Sequence, residues 1–320
     1  MEKPWISVDD QISLLKNRGL NFLDEQAARA RLLQYGYYEI INGYKDHLLI
    51  KNNSTSDDDT YVEGATFEHI FSLFRFDYDI RNVLLVDMLD IELTLRTAIS
   101  YTLGKVYTSD QEKYLNPCNF RKSISGKNDR DYLLKKVCAG VLNREDEPYR
   151  HYRDDICNIP PWILLKGFTF GNLAKMLSLM KKEDKNSVIS LILSTNAALL
   201  AEETKMLLME AIALFVAFRN RAGHCSRTFN YRPRRKGISS YHKFHNLIGI
   251  TEKDFEEKGL GKNDLWTVWK LSELFLYTKS APLLNTALPE LLNKHLQLYP
   301  EDEIFLKEQI GFPNHEKNGN

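Results

Sequence analysis

The sequence predicts an all-α protein with at most a minor β-hairpin. Nearly every segment with a clear apolar period repeats at three- and four-residue spacing, which is the spacing of one helix face. Several of these segments begin at a capping residue and end at a glycine. Runs that alternate between apolar and polar residues, as half-buried strands do, are too few to build a sheet.

Two short helices are predicted at the N-terminus. Ser7 is placed to cap the first, with Asp10 three residues later, and Gly19 ends it. Asp24 is placed to cap the second, which Gly36 ends. Both helices are therefore delimited by local signals alone.

The next segment is harder to assign. Residues 36–49 are rich in aromatic side chains and fit either a helix or a strand. The polar run KNNSTSDDDT at 51–60 is turn-prone and predicts a linker. We therefore predict an N-terminal helical subdomain over 1–58 and a helical core with C-terminal helices over 59–320, with both able to pack as one unit.

Longer helical patterns follow. The longest runs from Phe67 to about Leu103 and leaves room for one break. Residues 104–160 combine loops with short helices, and two long helical stretches occupy 162–182 and 186–220. The last amphipathic helices, within 265–299, are expected to be interrupted near prolines, namely Pro282 and Pro289.

Composition excludes several classes of protein. Forty-three basic residues balance 43 acidic ones, so attraction to a polyanion must come from a local patch. No apolar run is long enough to span a membrane, and the first residues do not resemble a secretory signal. We expect a cytoplasmic protein that has no contact with membranes.

No metal or cofactor site is expected from the sequence. The four cysteines are widely separated, which argues against a disulfide framework. The spacing from His224 and Cys225 to His242 and His245 fits no structural zinc pattern. The remaining histidines show no ligand pattern, namely His47, His69, His151 and His295.

The clearest functional feature is the stretch RNRAGH, which follows an apolar helix. Apolar residues occupy every side of the helix between Met206 and Phe218, interrupted only by Glu210, which predicts burial all round. Arg219 comes next. A helix end favoured by the macrodipole, a phosphate-binding patch and a catalytic motif are all open interpretations.

Helical geometry constrains how this cluster could act. Asn220 and His224 lie four residues apart on one face, whereas Arg219 and His224 diverge by roughly 140°. One continuous helix therefore cannot easily direct Arg219 and His224 at a single atom. A symmetric homodimer could do so, and Gly223 offers a second route by loosening the last turn.

The residue types agree with RNA chemistry. A histidine can transfer protons near neutral pH, and an arginine binds phosphate, so the pair could assist a ribose 2′-hydroxyl attacking the adjacent phosphate. Residues 219–236 contain seven cations and no acid, with Phe229 and Tyr231 interleaved, which favours a nucleic-acid strand. The candidate RNA-binding residues are Arg221, Arg227, Arg232, Arg234, Arg235 and Lys236.

A second polar stripe lies on the long helix. Glu92 and Arg96 are four residues apart with the acid first, and Arg81 falls within roughly 20° of Glu92 on the same face. A solvated face or a structural ion pair is the favoured interpretation. The alternative is that these side chains face the Arg219 and His224 cluster and support RNA binding.

The sequence also resembles a known family. FRNRAGH is similar to the R-x(4–6)-H motif of HEPN domains, and other segments resemble the Abi-like (AbiD/AbiF type) abortive-infection proteins of bacteria. The segments occur in the family's order over nearly the whole chain: KPWISVDDQISLLKNRGL, LLQYGYYEIINGY, FRFDYDIRNVLLVDMLDIELTLRTAISY, PPWILLKGFTFGNLAKML and IGFPNHE.

This resemblance implies a HEPN-like helical bundle and metal-independent RNA cleavage at a site shared by two HEPN domains. It also implies phage defence, as an abortive-infection protein or toxin, with an antitoxin or a structured small RNA as a partner. Arg219 would hold the scissile phosphate, His224 would act as general acid or base, and Asn220 would hydrogen-bond. One departure is Gly223, which stands where the family often has Ala.

Two other classes of function stay open. A non-catalytic module could use the same basic segment to hold a structured small RNA. A signalling or interaction protein could bind a nucleotide there or depend on a partner protein. The histidine favours cleavage, because simple phosphate binding does not require it.

Overall fold

A computed structural model describes residues 5–50, 59–123, 128–196, 201–276 and 282–313. The α-helices, numbered in chain order, are α1 (Val8–Asn17), α2 (Glu25–Tyr35), α3 (Phe67–Tyr107), α4 (Gln111–Tyr114), α5 (Asp129–Tyr132), α6 (Ala139–Leu142), α7 (Tyr149–Asp154), α8 (Pro161–Leu164), α9 (Phe170–Leu179), α10 (Lys182–Ile192), α11 (Glu202–Gly223), α12 (Lys243–Leu247), α13 (Leu265–Leu276), α14 (Leu284–Leu296) and α15 (Glu303–Ile310).

Shorter helical turns join them. The π-helical turns are Tyr38–Asn42, Leu133–Cys138 and Asp254–Lys258, and the 3₁₀ turns are Lys45–Leu48, Pro117–Asn119, Leu165–Gly167 and Pro300–Asp302. Within the described ranges strand pairing is limited to isolated bridges, so the all-α prediction is confirmed. Most of the ambiguous segment 36–49 is helical, whereas Leu49 at its end is extended and forms a bridge with Tyr61.

The chain divides into two compact units. The first contains residues 1–82 and 286–306, and the second contains residues 83–285 and 307–320. Most of the predicted linker, 51–58, lies outside the described residues. The predicted boundary after residue 58 stays a prediction.

The predicted N-terminal caps are present in the first unit. The Ser7 hydroxyl accepts a hydrogen bond from the Asp10 backbone, while the Asp10 carboxylate accepts one from the Ser7 backbone. The Asp24 carboxylate accepts a bond from the backbone N–H of Ala27. These bonds satisfy N–H groups that the first helical turn leaves without partners, so both helices start where the sequence predicts.

The long helix α3 is continuous over 41 residues. Its first 37 residues contain neither proline nor glycine, so nothing in the backbone requires the break that the sequence pattern allowed. Buried residues recur along it at helical spacing, including Leu84, Met88, Ile91 and Leu95. The helix therefore has a core-facing side, which also includes buried polar residues, among them Asp77 and Asp87.

The helix α11 is the central element of the second unit, where it packs against α9, α10 and α13. Leu208, Phe215 and Phe218 are fully buried, and the Phe215 ring meets Phe275 of α13 edge-on at 5.2 Å. The prediction that α11 is buried on every side is wrong. Met206 is 55% exposed, because apolar character does not reveal which side lacks a packed neighbour.

A second correction concerns the C-terminal helices. Pro289 lies inside α14 and does not interrupt it. The residue that loses a backbone bond to the proline is Asn285, in the first turn, so the helix sacrifices only one bond near its start. Pro282 does precede the start of α14, as predicted.

None of the helices within the described ranges is both long enough and apolar enough to cross a bilayer.

Candidate functional site

The site begins at the C-terminus of α11, which ends in a well-defined turn. His224 is the C-cap, and Cys225 adopts a left-handed conformation with φ of 54°. The Cys225 N–H donates to the Ala222 carbonyl at 3.0 Å, and the Ser226 N–H donates to the Arg221 carbonyl at 3.3 Å. This pair of bonds is a Schellman motif, so the helix ends at Gly223 and the last residue of the RNRAGH cluster, His224, is its C-cap.

Gly223 does not loosen this turn. It remains helical, its φ is not positive, and an added Cβ there would meet no atom within 4 Å. Helical spacing is therefore kept from Arg219 to the C-cap, and the roughly 140° divergence of Arg219 and His224 holds in a single chain.

Arg219 faces α3. One guanidinium nitrogen of Arg219 lies 3.9 Å from the Glu92 carboxylate, whose other oxygen accepts a 2.6 Å hydrogen bond from Arg96. Glu92 is 6% exposed, and its Oε2 has no hydrogen-bond partner among the described residues. A buried carboxylate with two cations holds Arg219 by charge and leaves donor capacity on its guanidinium.

Two of the three residues of the polar stripe on α3 thus lie beside Arg219, namely Glu92 and Arg96. Glu92 and Arg96 form the ion pair that the sequence favoured, and Glu92 also lies beside Arg219, as the alternative required. Arg81 belongs to the first unit instead. There it pairs with Asp77 at 3.8 Å and lies over the Tyr78 ring.

Asn220 and His224 lie on a different side of α11, where both are exposed. In the described structure the His224 imidazole has no hydrogen-bond partner; its backbone carbonyl accepts a bond from Ser226. An exposed imidazole without an internal partner is available to a reactant.

The same side of α11 carries a stripe of incompletely covered apolar residues. Met206, Met209, Ala213 and Val216 fall with Asn220 and His224 within an arc of roughly 80°. Met206 is exposed, and the other three apolar residues are half-buried. We call these four residues the α11 stripe. It runs for about three turns, and Asn220 and His224 continue the same line to the C-terminus of α11.

Two neighbouring cavities open along this stripe. The larger, of about 810 Å³, is bounded by Met206 and Met209 together with a mixed charged rim that includes Arg121 and Lys185. Burial and the nearby Arg121 guanidinium lower the pKa of Lys185. The smaller, of about 330 Å³, is bounded by Met209, Ala213 and Val216, with Lys236 at its edge.

The basic segment after α11 divides into internal and external cations. Arg221 is half-buried and donates to the Arg227 carbonyl at 2.8 Å, with its guanidinium over the Tyr231 ring. Arg232 donates to the Gln309 carbonyl at 2.8 Å, and burial lowers its pKa. Arg227 is half-buried, whereas Arg234, Arg235 and Lys236 are exposed.

The aromatic residues of this segment do not form a stacking surface. Phe229 is 2% exposed, and Tyr231 meets Phe218 edge-on at 5.1 Å. Their interleaving with cations reflects packing of the segment against α11, which fixes its path. The outward surface is therefore mainly cationic.

Sequence reasoning missed a cluster of histidines in the first unit. His47, His69 and His295 all contact the carboxylate of Asp302, which is completely buried. His47 and His69 lie 255 and 233 residues from Asp302 along the chain, so spacing along the sequence carried no signal for the cluster. His151 lies elsewhere and pairs with Asp155 on an exposed helix.

Comparison with known proteins identifies the family of the chain. A family model described as Abi-like protein matches residues 30–230, well over half of the chain. The matched span includes α3 with Glu92 and Arg96, the whole of α11 and the start of the basic segment. No curated protein and no solved structure matches the chain.

Proposed function

The chain belongs to the Abi-like protein family, and from this premise we propose that it is a cytoplasmic endoribonuclease of the HEPN superfamily that acts in phage defence. Its substrate is RNA, and its active form is a homodimer. Abortive infection is the role that the family name supplies. The cleavage chemistry rests on the residues at the end of α11.

The observation that carries this proposal is the separation of Arg219 from His224 around α11. His224 lies on the line of the incompletely covered α11 stripe, whereas Arg219 turns toward Glu92. A second copy packed on the stripe would bury its apolar side chains and bring one His224 near the partner's arginine. Each of two symmetric sites would then contain groups from both copies.

In such a site His224 would transfer protons and Arg219 would bind the scissile phosphate. The ribose 2′-oxygen attacks phosphorus, its proton passes to a base, and the bond to the 5′-oxygen breaks as that oxygen gains a proton. The products are a 2′,3′-cyclic phosphate and a 5′-hydroxyl. The Glu92 and Arg96 pair would hold Arg219 in place, and Asn220 would hydrogen-bond to the RNA.

The exposed cations next to the site would bind the RNA backbone. Arg234, Arg235 and Lys236 project from a segment that is anchored by buried residues, so they form a fixed cationic surface. Such contacts are independent of sequence and weaken as salt rises. We therefore expect the protein to select single-stranded RNA by shape and access more than by base identity.

The direct test is RNA cleavage by purified protein without added metal. Wild-type protein, His224→Ala and the control His151→Ala are incubated with total RNA, and the new ends are mapped. We expect 2′,3′-cyclic phosphate ends from wild type and the control, and a cleavage rate about 10²–10⁴ times lower from His224→Ala. Full activity in His224→Ala, or 5′-phosphate ends that require a metal, would contradict the mechanism.

A non-catalytic RNA-binding module is the second candidate. This candidate is favoured by the ion pair between Arg219 and Glu92, because the pair holds Arg219 away from His224 of the same chain. This module would bind a small RNA through the same cations and release no products. RNA that copurifies in a salt-sensitive manner, with no new ends in the cleavage assay, would select it.

A further inference from the structure

The buried histidine cluster of the first unit has the geometry of a metal-binding site. The Nε2 atom of His47 lies 2.7 Å from one oxygen of Asp302. The Nε2 atoms of His69 and His295 lie 2.8 and 2.9 Å from the other oxygen. The donor atoms of His69, His295 and Asp302 all lie within 4.8 Å of one another. Three potential ligand groups therefore converge on one small volume, and His47 lies beside them on the other oxygen of Asp302.

The four residues come from four separate segments of this unit. His47 lies in the 3₁₀ turn Lys45–Leu48, His69 in the first turn of α3, His295 near the end of α14, and Asp302 at the end of the 3₁₀ turn Pro300–Asp302. Asp302 is 0% exposed and His295 is 2% exposed. Any ion bound there would tie the N-terminal part of the unit to its C-terminal helix.

The groups behind the histidines are also those of a metal site. The Nδ1 of His295 lies 2.9 Å from the Ser72 hydroxyl, and the Nδ1 of His69 lies 3.9 Å from the Glu301 carboxylate. Metal-bound histidines commonly donate their second N–H to a hydroxyl, carbonyl or carboxylate, which fixes the ring and raises its basicity.

Two aromatic rings restrain the imidazoles further. Tyr299 stacks on His69 and Phe305 stacks on His47, each with ring centroids 3.8 Å apart. Together with the outer hydrogen bonds, this stacking holds the Nε2 atoms toward Asp302. Because the ligand side chains are already restrained, they lose less conformational entropy when an ion binds.

Charge distinguishes a metal site from a simple hydrogen-bond network. If all three imidazoles are neutral, Asp302 keeps a buried negative charge, with the Glu301 charge close to the cluster. A divalent cation would balance these two carboxylates. The ion would replace the Nε2 protons that now face Asp302. Each ring would then carry its proton on Nδ1, and its Nε2 lone pair would bind the ion.

We propose that His47, His69, His295 and Asp302 bind one divalent transition-metal ion, with zinc preferred, in a closed structural site. Three imidazole nitrogens and one carboxylate oxygen suit zinc in tetrahedral geometry. Tetrahedral bonds of about 2.0–2.1 Å separate ligand atoms by roughly 3.3 Å, so the nitrogens of His69 and His295 each move away from their Asp302 oxygen by about half an ångström. His47, which contacts the other oxygen, has to move further to complete the site. The ion stabilises the first unit and takes no part in RNA cleavage.

The experiment measures metal in the untagged full-length protein. Protein from zinc-supplemented medium is analysed by plasma mass spectrometry before and after chelation, and melting temperature is followed as Zn²⁺ is returned. We expect about one zinc per chain, a lower melting temperature after chelation, and recovery on re-addition. Replacement by Co²⁺ should give the intense visible absorption of four-coordinate cobalt.

Variants separate the metal site from a hydrogen-bond network. His69→Gln and Asp302→Asn keep hydrogen-bonding groups but weaken metal binding, so we expect both to lose the zinc, while the exposed control His151→Ala keeps it. If either variant does not fold, the Co²⁺ spectrum of the wild-type protein decides. The proposal is overturned if wild-type protein contains no stoichiometric metal and its melting temperature changes neither with chelator nor with added Zn²⁺.

Discussion

Two histidine-containing regions of this protein differ in how completely their polar groups are satisfied. At the end of α11, His224 is exposed and its imidazole has no partner among the described residues. In the first unit, His69 and His295 are buried against Asp302, with further contacts on their other ring nitrogens. The first arrangement leaves an imidazole accessible from outside the protein, whereas the second holds its imidazoles within the fold.

The largest effect is expected when two inactive variants of the α11 site are combined in one dimer. Arg219→Ala and His224→Ala should each cleave RNA about 10²–10⁴ times more slowly, because each lacks one half of the chemistry. Mixed dimers should recover up to about a quarter of wild-type activity, since half of the dimers are mixed and each restores one of two sites. Cleavage is measured after co-expression of the two variants.

The control mixes His224→Ala with His224→Gln, and it should stay inactive because no dimer contains an intact histidine. Both single variants should keep the wild-type melting temperature, since the two side chains are partly or fully exposed. Mixed dimers with no recovered activity would show that the two residues do not act across a dimer interface.

A second prediction concerns the buried carboxylate beside Arg219. Glu92→Gln should destabilise the protein by about 1–3 kcal/mol, because it leaves Arg96 partly buried without its ion pair. It should also slow cleavage, because Arg219 loses the charge that holds it. Urea unfolding and single-turnover cleavage measure the two effects.

The matched control is Asp79→Asn, which removes another i,i+4 pair, between Arg75 and Asp79, at a more exposed position. It should cost no more than about 0.5 kcal/mol and leave cleavage unchanged. Equal effects from the two variants would mean that Glu92 has no special relation to Arg219.

A third prediction uses pH to separate buried from exposed histidines. Burial lowers the pKa of His245, whose Nδ1 accepts a 2.9 Å bond from the His242 N–H. A folded pKa below the unfolded value means that the unfolded state binds more protons. Stability from this residue is therefore complete above about pH 6.5 and falls as the pH drops below it.

Urea unfolding of wild type and His245→Gln at pH 7.5 and 5.5 tests this. The variant should be less stable at pH 7.5 but lose less stability on acidification. His224→Ala is the control and should keep the wild-type pH dependence of stability. An unchanged pH dependence in His245→Gln would contradict the assignment.

The smallest effect is expected at Gly223. Gly223→Ala should stabilise the protein by about 0.4–1 kcal/mol, because the position is helical and an added Cβ meets open space. Cleavage should persist, since the turn is made by Cys225 and not by Gly223. Thermal unfolding and the RNA assay measure both.

Gly311→Ala provides the contrast for this substitution. Gly311 has φ of 93°, and an added Cβ there would collide with Asp264, so we expect destabilisation. Loss of cleavage in a stable Gly223→Ala protein would indicate that the last turn of α11 must change shape during the reaction.

Features that depend on neighbouring residues in the sequence were predicted more successfully than contacts between distant segments. The caps at Ser7 and Asp24, the continuous α3 pattern and the change from apolar to basic residues at Arg219 depend on neighbours within about four positions. The neighbours of each side chain were predicted poorly. Burial of Phe229 and Arg232, and exposure of the α11 stripe, depend on distant segments.

By itself the sequence determined the all-α class, the ends of the first two helices and the position of the RNRAGH cluster, because helical periodicity and capping are local. Only the tertiary structure placed Glu92 beside Arg219 and gathered three histidines around Asp302. His47 and His69 lie 255 and 233 residues from Asp302 along the chain. Contacts at such distances are decided by which helices pack together, and packing depends on the shape and burial of whole elements.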